Sequence, residues 1–510
     1  MLAVRDLGWV TACGGSQMQS HENQDVEVRD APTAPSAMTR PLERSTQLEK
    51  RSDVYPVSWR YWPIVAMVVA AGVLIGVGFW SQTVPPLPFG AFSHRPIYGV
   101  FKPTVSPLAL TLVPAGLLFA GTAWAVTSSR RLPTWLALGL TVVTALFTAV
   151  AVALVRGNWH QLIQGVSTKR GTYYTTDLHF VARYGIRGFV RNYPILEPKL
   201  HSYNGKTHPP GVQIFLWVIY KISGHGYPLL MTTIIAVVSL LTAVGAWAMA
   251  RSYGGERAGR IAAALAVVAP GALMLAYTNM DVVFAAIFSI AAGLVVVGTH
   301  RRSAAVTGLG GAVIGFATFL TYATTFLVIA VVLAVVIETR SVRQSLKLLA
   351  AAAIGGAVAL TILRVVVGFN VIADYRALHR SNGHYYLYWI VGGPSAWLIW
   401  AGLPLAAIGL AGLVVKVPSA RRPILPLVLI AIMLVWGALP PHITALRQGE
   451  VERTWAFLYP MLAASAGPVI DRWTRGRGMP RSWAGPVVAG LLLVSILQTG
   501  VLQALWDNLQ

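Results

Sequence analysis

Asp177, Lys206, His208, Asp281, Arg364 and Arg453 are the side chains of this chain best set for chemistry. The two acids can orient or deprotonate a hydroxyl, and the other four can hold an anion. Asp177 stands in the run Tyr173-Tyr174-Thr175-Thr176-Asp177-Leu178-His179-Phe180. Lys206 and His208 precede Pro209-Pro210-Gly211 and an apolar stretch through Trp217. Proline is tolerated in a first helical turn, where its missing N–H would be unpaired anyway. The proline pair therefore predicts a helix start with Lys206 and His208 at its N-terminus. Side-chain donors, backbone N–H groups and the helix dipole can converge there on an anion.

Each of these residues also has a plainer reading. Asp is a favoured N-cap, and a helix begins near Leu178. Asp281 falls between two apolar stretches; acids at such depth usually face a polar cavity, but a membrane-boundary Asp is common too. Arg364, in the last turns of an apolar stretch, can bind a phosphate or snorkel to headgroups. Arg453 heads a late apolar stretch beside Glu450 and Glu452, where a local ion pair competes with anion binding.

The elements that must position these groups are membrane helices. Of the 510 residues, 55% are hydrophobic and 11% charged, against about a quarter charged in soluble chains. A soluble globular protein is excluded, as are disorder and, with Cys13 as the single cysteine, a disulfide scaffold. The 40 Lys+Arg against 18 Asp+Glu give a net charge of +22. On a membrane protein this reflects basic cytoplasmic loops rather than nucleic-acid binding. The expected fold class is all-α, a polytopic transmembrane helical bundle.

Spanning helices need about 20 mostly apolar residues. Stretches free of Asp, Glu, Lys and Arg recur from Arg60 to Asp507, and splitting Ser303–Ile337 near Thr321 gives about 13 spans. The run Thr207–Tyr220 is too short and reads as interfacial or re-entrant. Leaving it out gathers six short loops with 17 Lys/Arg on one side. The positive-inside bias then makes the N-terminus cytoplasmic and the C-terminus external. Residues 1–58 read as a disordered cytoplasmic tail. Arg156–Lys206 is the longest non-spanning segment of the body and faces outside.

The external acids are then Asp177, Glu197, Asp281, Asp374, Glu450, Glu452 and Asp507, against 16 Lys/Arg. Such a surface suits a phosphate-bearing lipid or another anion. The external histidines are His160, His179, His201, His208, His379, His384 and His442, and none has a zincin spacing. No metal is assigned. A divalent cation stays open as a cofactor through Asp177 and His179, although i,i+2 residues do not share a helix face. The run from His384 to Trp389 reads as an interfacial aromatic belt rather than a sugar platform. Gly308–Gly315 and Gly355-Gly356 suit helix packing rather than a ligand loop. There is no P-loop, Rossmann fingerprint or metalloprotease motif.

In order, the chain has an external loop with an early Asp, a Lys/His-Pro-Pro apolar element ending in Gly224, and the basic turn Arg251–Arg257. A span with Pro270 and then Tyr277-Thr278-Asn279-Met280-Asp281 follow. This series, from Thr172 to His300, resembles the GT-C glycosyltransferases, and most of all the protein O-mannosyltransferases and lipid A aminoarabinose transferases. Glu452-Arg453 through Pro460 is a weaker echo. The resemblance implies an integral membrane enzyme that moves a sugar from a polyprenyl-phosphate donor to a lipid, glycan or protein acceptor. The reaction would lie outside the cytoplasmic membrane and invert the sugar. It places Asp177 as the acid that activates or orients the acceptor. Leu178 follows where the family often has Glu, and His208 stands where the family has Lys. Lys206, His208, Arg364 and Arg453 would hold donor phosphate, and Asp281 would line the cavity.

On this basis 59–133 form two added N-terminal transmembrane helices, 134–340 the catalytic module with external loop 156–227, and 341–510 the C-terminal helices. A secondary transporter or flippase of lipid-linked sugars is the rival. It would carry ionisable residues near the midplane and paired repeats.

Overall fold

The structure, a computed structural model, describes residues 100–157, 159–166, 174–224, 227–377, 386–439, 451–475 and 484–507. The expected tail, the apolar stretch from Arg60 to Arg95, and His379, His384, His442 and Glu450 lie outside the described residues. The described chain is nearly all helix, as expected for a transmembrane bundle. Its one strand pair joins β1 (Val100–Phe101) to β2 (Trp506–Asp507) antiparallel.

Two apolar helices come first, α1 (Leu112–Ser128) and α2 (Thr134–Leu154). A run of short elements follows: α3 (Leu178–Arg191), α4 (Tyr193–Leu196), α5 (Tyr203–Thr207) and α6 (Gly211–Ser223). The bundle continues with α7 (Pro228–Leu240), α8 (Thr242–Gly254), α9 (Glu256–Val267), α10 (Pro270–Leu275) and α11 (Asp281–Arg301). Next come α12 (Ala304–Ala317), α13 (Thr324–Thr339), α14 (Val342–Val366) and the short α15 (Val371–Ala377). The last helices are α16 (Tyr386–Ala401), α17 (Leu403–Val414), α18 (Ile424–Ala438), α19 (Val451–Thr454), α20 (Tyr459–Arg475) and α21 (Ala484–Leu505).

The stretch Ser303–Ile337 breaks between Ala317 and Thr324, around Thr321. The run at Thr207–Tyr220 becomes α6, a helix of 13 residues that begins after Pro209-Pro210. By length and apolarity, six helices among the described residues can cross a membrane, or seven counting Gly393–Ala401 and Leu403–Val414, which meet at 109°. The expectation of about 13 spans is not matched on length. Helices α12, α13 and α18 have 14, 16 and 15 residues, and α9 and α10 are interrupted ahead of Pro270. The α16–α17 bend falls at Gly402, whose φ of 92° lies in the left-handed region that glycine enters freely.

Helices α8, α9, α11 and α20 form the buried centre, where small side chains such as Ala246, Ala262, Ala291 and Ala463 are fully enclosed. Small residues let helix backbones approach closely. The glycines of α12 and α14 act in this way: a Cβ on Gly355 would sit 1.9 Å from the Gly308 carbonyl oxygen.

One end of the bundle holds the basic turns and is tied by ions. Arg260 donates to Glu256 at 3.0 Å and to the carbonyls of Val126, Ser129 and Leu132. Arg257 pairs with Asp471 at 3.1 Å and donates to the Thr127 carbonyl. His300 pairs with Glu338. The other end carries the loop that bears Asp177, Glu197 and Lys206.

Candidate functional site

Helix α3 is amphipathic. Leu178, Val181, Phe189 and Val190 are buried, and Arg183 and Arg187 face outward. Asp177 occupies its N-cap position, yet its side chain makes no capping bond. The N-cap reading is therefore overturned. The carboxylate is fully buried and reaches a segment distant in sequence. There Oδ1 accepts the His201 backbone N–H at 2.8 Å and Oδ2 accepts that of Ser202 at 2.9 Å. Ser202 in turn caps α5, its hydroxyl accepting the Gly205 N–H at 3.1 Å. Asp177 thus anchors the turn that bears Lys206 and His208.

Two further side chains hold that turn. The Tyr193 hydroxyl lies 2.7 Å from the Gly205 carbonyl oxygen and 2.5 Å from that of His208. The Gln213 amide, on α6, donates to the Gly205 carbonyl at 3.2 Å. The Gly211 N–H donates to the Phe319 carbonyl at 3.0 Å, which fastens the start of α6 to the α12–α13 break. A Cβ on Gly211 would lie 2.2 Å from that oxygen, so the contact requires glycine.

His208 has the extended backbone (φ −125°, ψ 157°) that a following proline favours. Its ring stacks on Phe284 with centroids 5.4 Å apart. Loss of water draws its pKa down to about 4, against the Asn204 carbonyl and with help from the Arg453 charge. The imidazole is therefore neutral near pH 7. Its Nδ1 lies 3.0 Å from the Asn204 carbonyl oxygen, so Nδ1 carries the proton and spends it there. Of the two candidates in this turn, Lys206 supplies the positive charge.

Asp281 opens α11 and is buried. Its backbone N–H donates to the Asn279 side chain at 2.8 Å, and its Oδ2 lies 3.3 Å from Arg453 Nη1. Arg453, on α19, is buried as well. Its ion pair therefore joins α11 to α19 as well as serving its own loop. Because the Arg453 charge also reaches His208, these three residues share one corner. Arg364 is exposed on the last turn of α14, and no bond among the described residues joins it to that corner.

Two residues were not singled out in advance. Asp374 on α15 is buried, and its Oδ2 has no partner among the described residues. Burial pushes its pKa up to about 7, only partly offset by the Asn370 backbone. The charges of Asp374 and Glu197 act, after burial, to raise the Tyr322 phenol. The second residue is His201, whose side chain is 64% exposed with Nδ1 3.4 Å from Asp177 Oδ1. Neither has a motif around it; an exposed loop histidine and a loop acid look ordinary until the partners are known. Among the described residues no three His, Cys, Asp or Glu side chains converge to hold a metal ion.

Residues 207–367 match the family described as dolichyl-phosphate-mannose-protein mannosyltransferase. That span includes His208, Asp281 and Arg364, and leaves out Asp177, Lys206 and Arg453. No curated protein matches the chain by sequence. Among solved structures, ArnT from Cupriavidus metallidurans in the apo state is similar at 14% identity and a TM-score of 0.38, over 88% of this chain and 77% of that one. The Archaeoglobus fulgidus oligosaccharyltransferase complex with Zn and sulfate is similar at 15% identity and a TM-score of 0.39, over 72% and 53%. The chain is a multi-pass helical membrane protein, and its residues 207–367 are similar to the dolichyl-phosphate-mannose-protein mannosyltransferases.

Proposed function

We propose that this protein is a membrane glycosyltransferase that moves one sugar, hexosyl or pentosyl, from a polyprenyl-phosphate donor to a lipid, glycan or protein acceptor. The reaction lies on the external side of the cytoplasmic membrane and inverts the anomeric carbon. The observation that carries this reading is the mannosyltransferase match across the α6 start and the Asp281 corner, where Arg453 is held by Asp281 at 3.3 Å. Departure of the lipid phosphate leaves negative charge, and fixed positive groups aimed at developing charge are usually the largest catalytic term. Lys206 and Arg453 supply those groups. Asp281 holds Arg453 in place. Asp177 orders the acceptor side by fixing the turn at His201 and Ser202. Arg364, exposed and apart, is left out of the phosphate site.

The test uses the purified full chain in lipid nanodiscs with a radiolabelled polyprenyl-phosphate sugar. Label moving from lipid phosphate to an acceptor fraction supports transfer. In sealed vesicles, label that changes leaflet while still bound to lipid phosphate would indicate a flippase and refute the enzyme reading.

A further inference from the structure

We infer that the last turn of α14, together with the second part of α3 and with α15, forms a headgroup site for an anionic phospholipid of the surrounding bilayer. Nothing in this site depends on sugar transfer. Between Arg156 and Lys206, and between Arg364 and Lys416, the acids are Asp177, Glu197 and Asp374. All three are buried. The charges left on the surface are cations. Arg187 and Arg191 on α3, Arg364 on α14 and Arg376 on α15 are exposed. Among the described residues no carboxylate pairs with any of these arginines.

The packing gathers them at one helix end. Phe189 and Tyr193 share a buried cluster with Leu363 and Phe369, and α15 packs on α4. Gly368 follows α14 with a φ of 85°, and a Cβ there would lie 2.4 Å from Arg191 Cγ. The Arg191 stem therefore lies across the end of α14, one turn beyond Arg364. Gly185, at φ 68°, interrupts α3. Arg187 and Arg191 then stand one turn apart, where like charges repel. A helix C-terminus attracts cations by itself, but this one is already closed by its own backbone. The Gly368 N–H donates to the Leu363 and Arg364 carbonyls at 3.1 Å and 3.0 Å, and the Phe369 N–H donates to that of Leu363 at 3.3 Å.

The depth is that of a lipid phosphate. Helix α14 has 25 residues; at about 1.5 Å each it reaches about 37 Å, past a hydrocarbon core of about 30 Å. Its ends therefore stand in the headgroup layers. Val365, Val366, Ile195 and Ile372 lie exposed among the arginines. Apolar side chains toward acyl chains, with guanidinium groups at the phosphates, fit a phospholipid better than a free anion. Tyr193 carries the contact inward, since its hydroxyl bonds the Gly205 and His208 carbonyls. A headgroup on these arginines thus braces the turn that bears Lys206 and His208.

The test titrates phosphatidylglycerol or phosphatidylcholine onto the purified full chain in detergent. Bound lipid is read by native mass spectrometry, and thermal unfolding checks the fold. Wild type should retain phosphatidylglycerol in preference to phosphatidylcholine. Arg191→Gln with Arg364→Gln should weaken phosphatidylglycerol binding about tenfold or more. Arg191→Lys with Arg364→Lys keeps both charges and should stay within about threefold of wild type. Arg301→Gln with Arg302→Gln removes two exposed cations from the opposite end and should leave the tight binding in place. A wild type with no preference for phosphatidylglycerol overturns the inference. So does an equal loss in both glutamine pairs, which would reduce the effect to net charge. A polyprenyl phosphate that displaces phosphatidylglycerol from wild type at equal concentration also overturns it, by assigning these arginines to the donor.

Discussion

The two ends of the bundle use charge in opposite ways. At the basic end, Arg260 is saturated by one carboxylate and three carbonyls, and Arg257 and Arg475 both lie within 3.1 Å of Asp471. Through Asp471 and the Val126, Ser129 and Leu132 carbonyls, Arg257 and Arg260 bridge helices far apart in sequence and act as structural ties. At the acid-bearing end, Asp177 accepts two backbone N–H groups, burial disfavours the charged form of His208, and one Asp374 carboxyl oxygen has no partner among the described residues. Lys206 stands half-buried at the start of α6. Buried charge needs partners of its own. Where the fold supplies all of them, nothing remains for a ligand; where it withholds some, a ligand has groups to meet.

The sharpest break of this contrast is Arg453→Ala. It leaves Asp281 buried without its cation, a change that costs about 3–5 kcal/mol. Transfer should be lost together with much of the thermal stability. An Arg453→Ala protein with unchanged unfolding temperature would remove the ion pair from this account. Arg260→Ala comes next. It should lower stability by about 3 kcal/mol by leaving the carbonyls of Val126, Ser129 and Leu132 without their donor. Transfer per folded molecule should stay near wild type, measured as the rate normalised to the monodisperse fraction. A selective loss of rate would erase the distinction between the ends.

Asp374 gives a pH test. Its folded pKa of about 7 exceeds the ordinary 3.8, so the folded state binds the extra proton. Stability from this group is whole below the unfolded value and is lost as pH rises toward 7. The slope reaches up to about 1.4 kcal/mol per pH unit. Unfolding temperature recorded against pH should fall across that window in wild type and flatten in Asp374→Asn. Equal slopes in the two would refute the assignment. Arg364→Gln should have the smallest effect, within about twofold of wild-type transfer, because an exposed cation contributes little. A larger loss of rate would return Arg364 to the phosphate site.

The architecture was legible because it follows from local rules. Charge-free length marks helices, the Pro209-Pro210 pair starts α6, and the overlong stretch at Ser303–Ile337 breaks around Thr321. Span lengths were less legible. Gly402 folds one apolar run into two pieces at 109°, and the run itself carries no sign of that angle. The candidate residues were named by type, but their partners were not legible. Asp177 reaches the backbone of His201 and Ser202, and Arg453 reaches Asp281 on another helix. Both contacts depend on how loops fold over the bundle. Burial acts on His208 and Asp374 in the same sense, disfavouring the charged form of each: it draws the His208 pKa down to about 4 and pushes that of Asp374 up to about 7.

The most direct test is sugar transfer by wild type and Asp177→Asn, side by side in nanodiscs, from a radiolabelled polyprenyl-phosphate sugar. Label should reach an acceptor with wild type, and the rate should fall about a hundredfold or more in a variant that still inserts and folds. Full transfer by Asp177→Asn would contradict it.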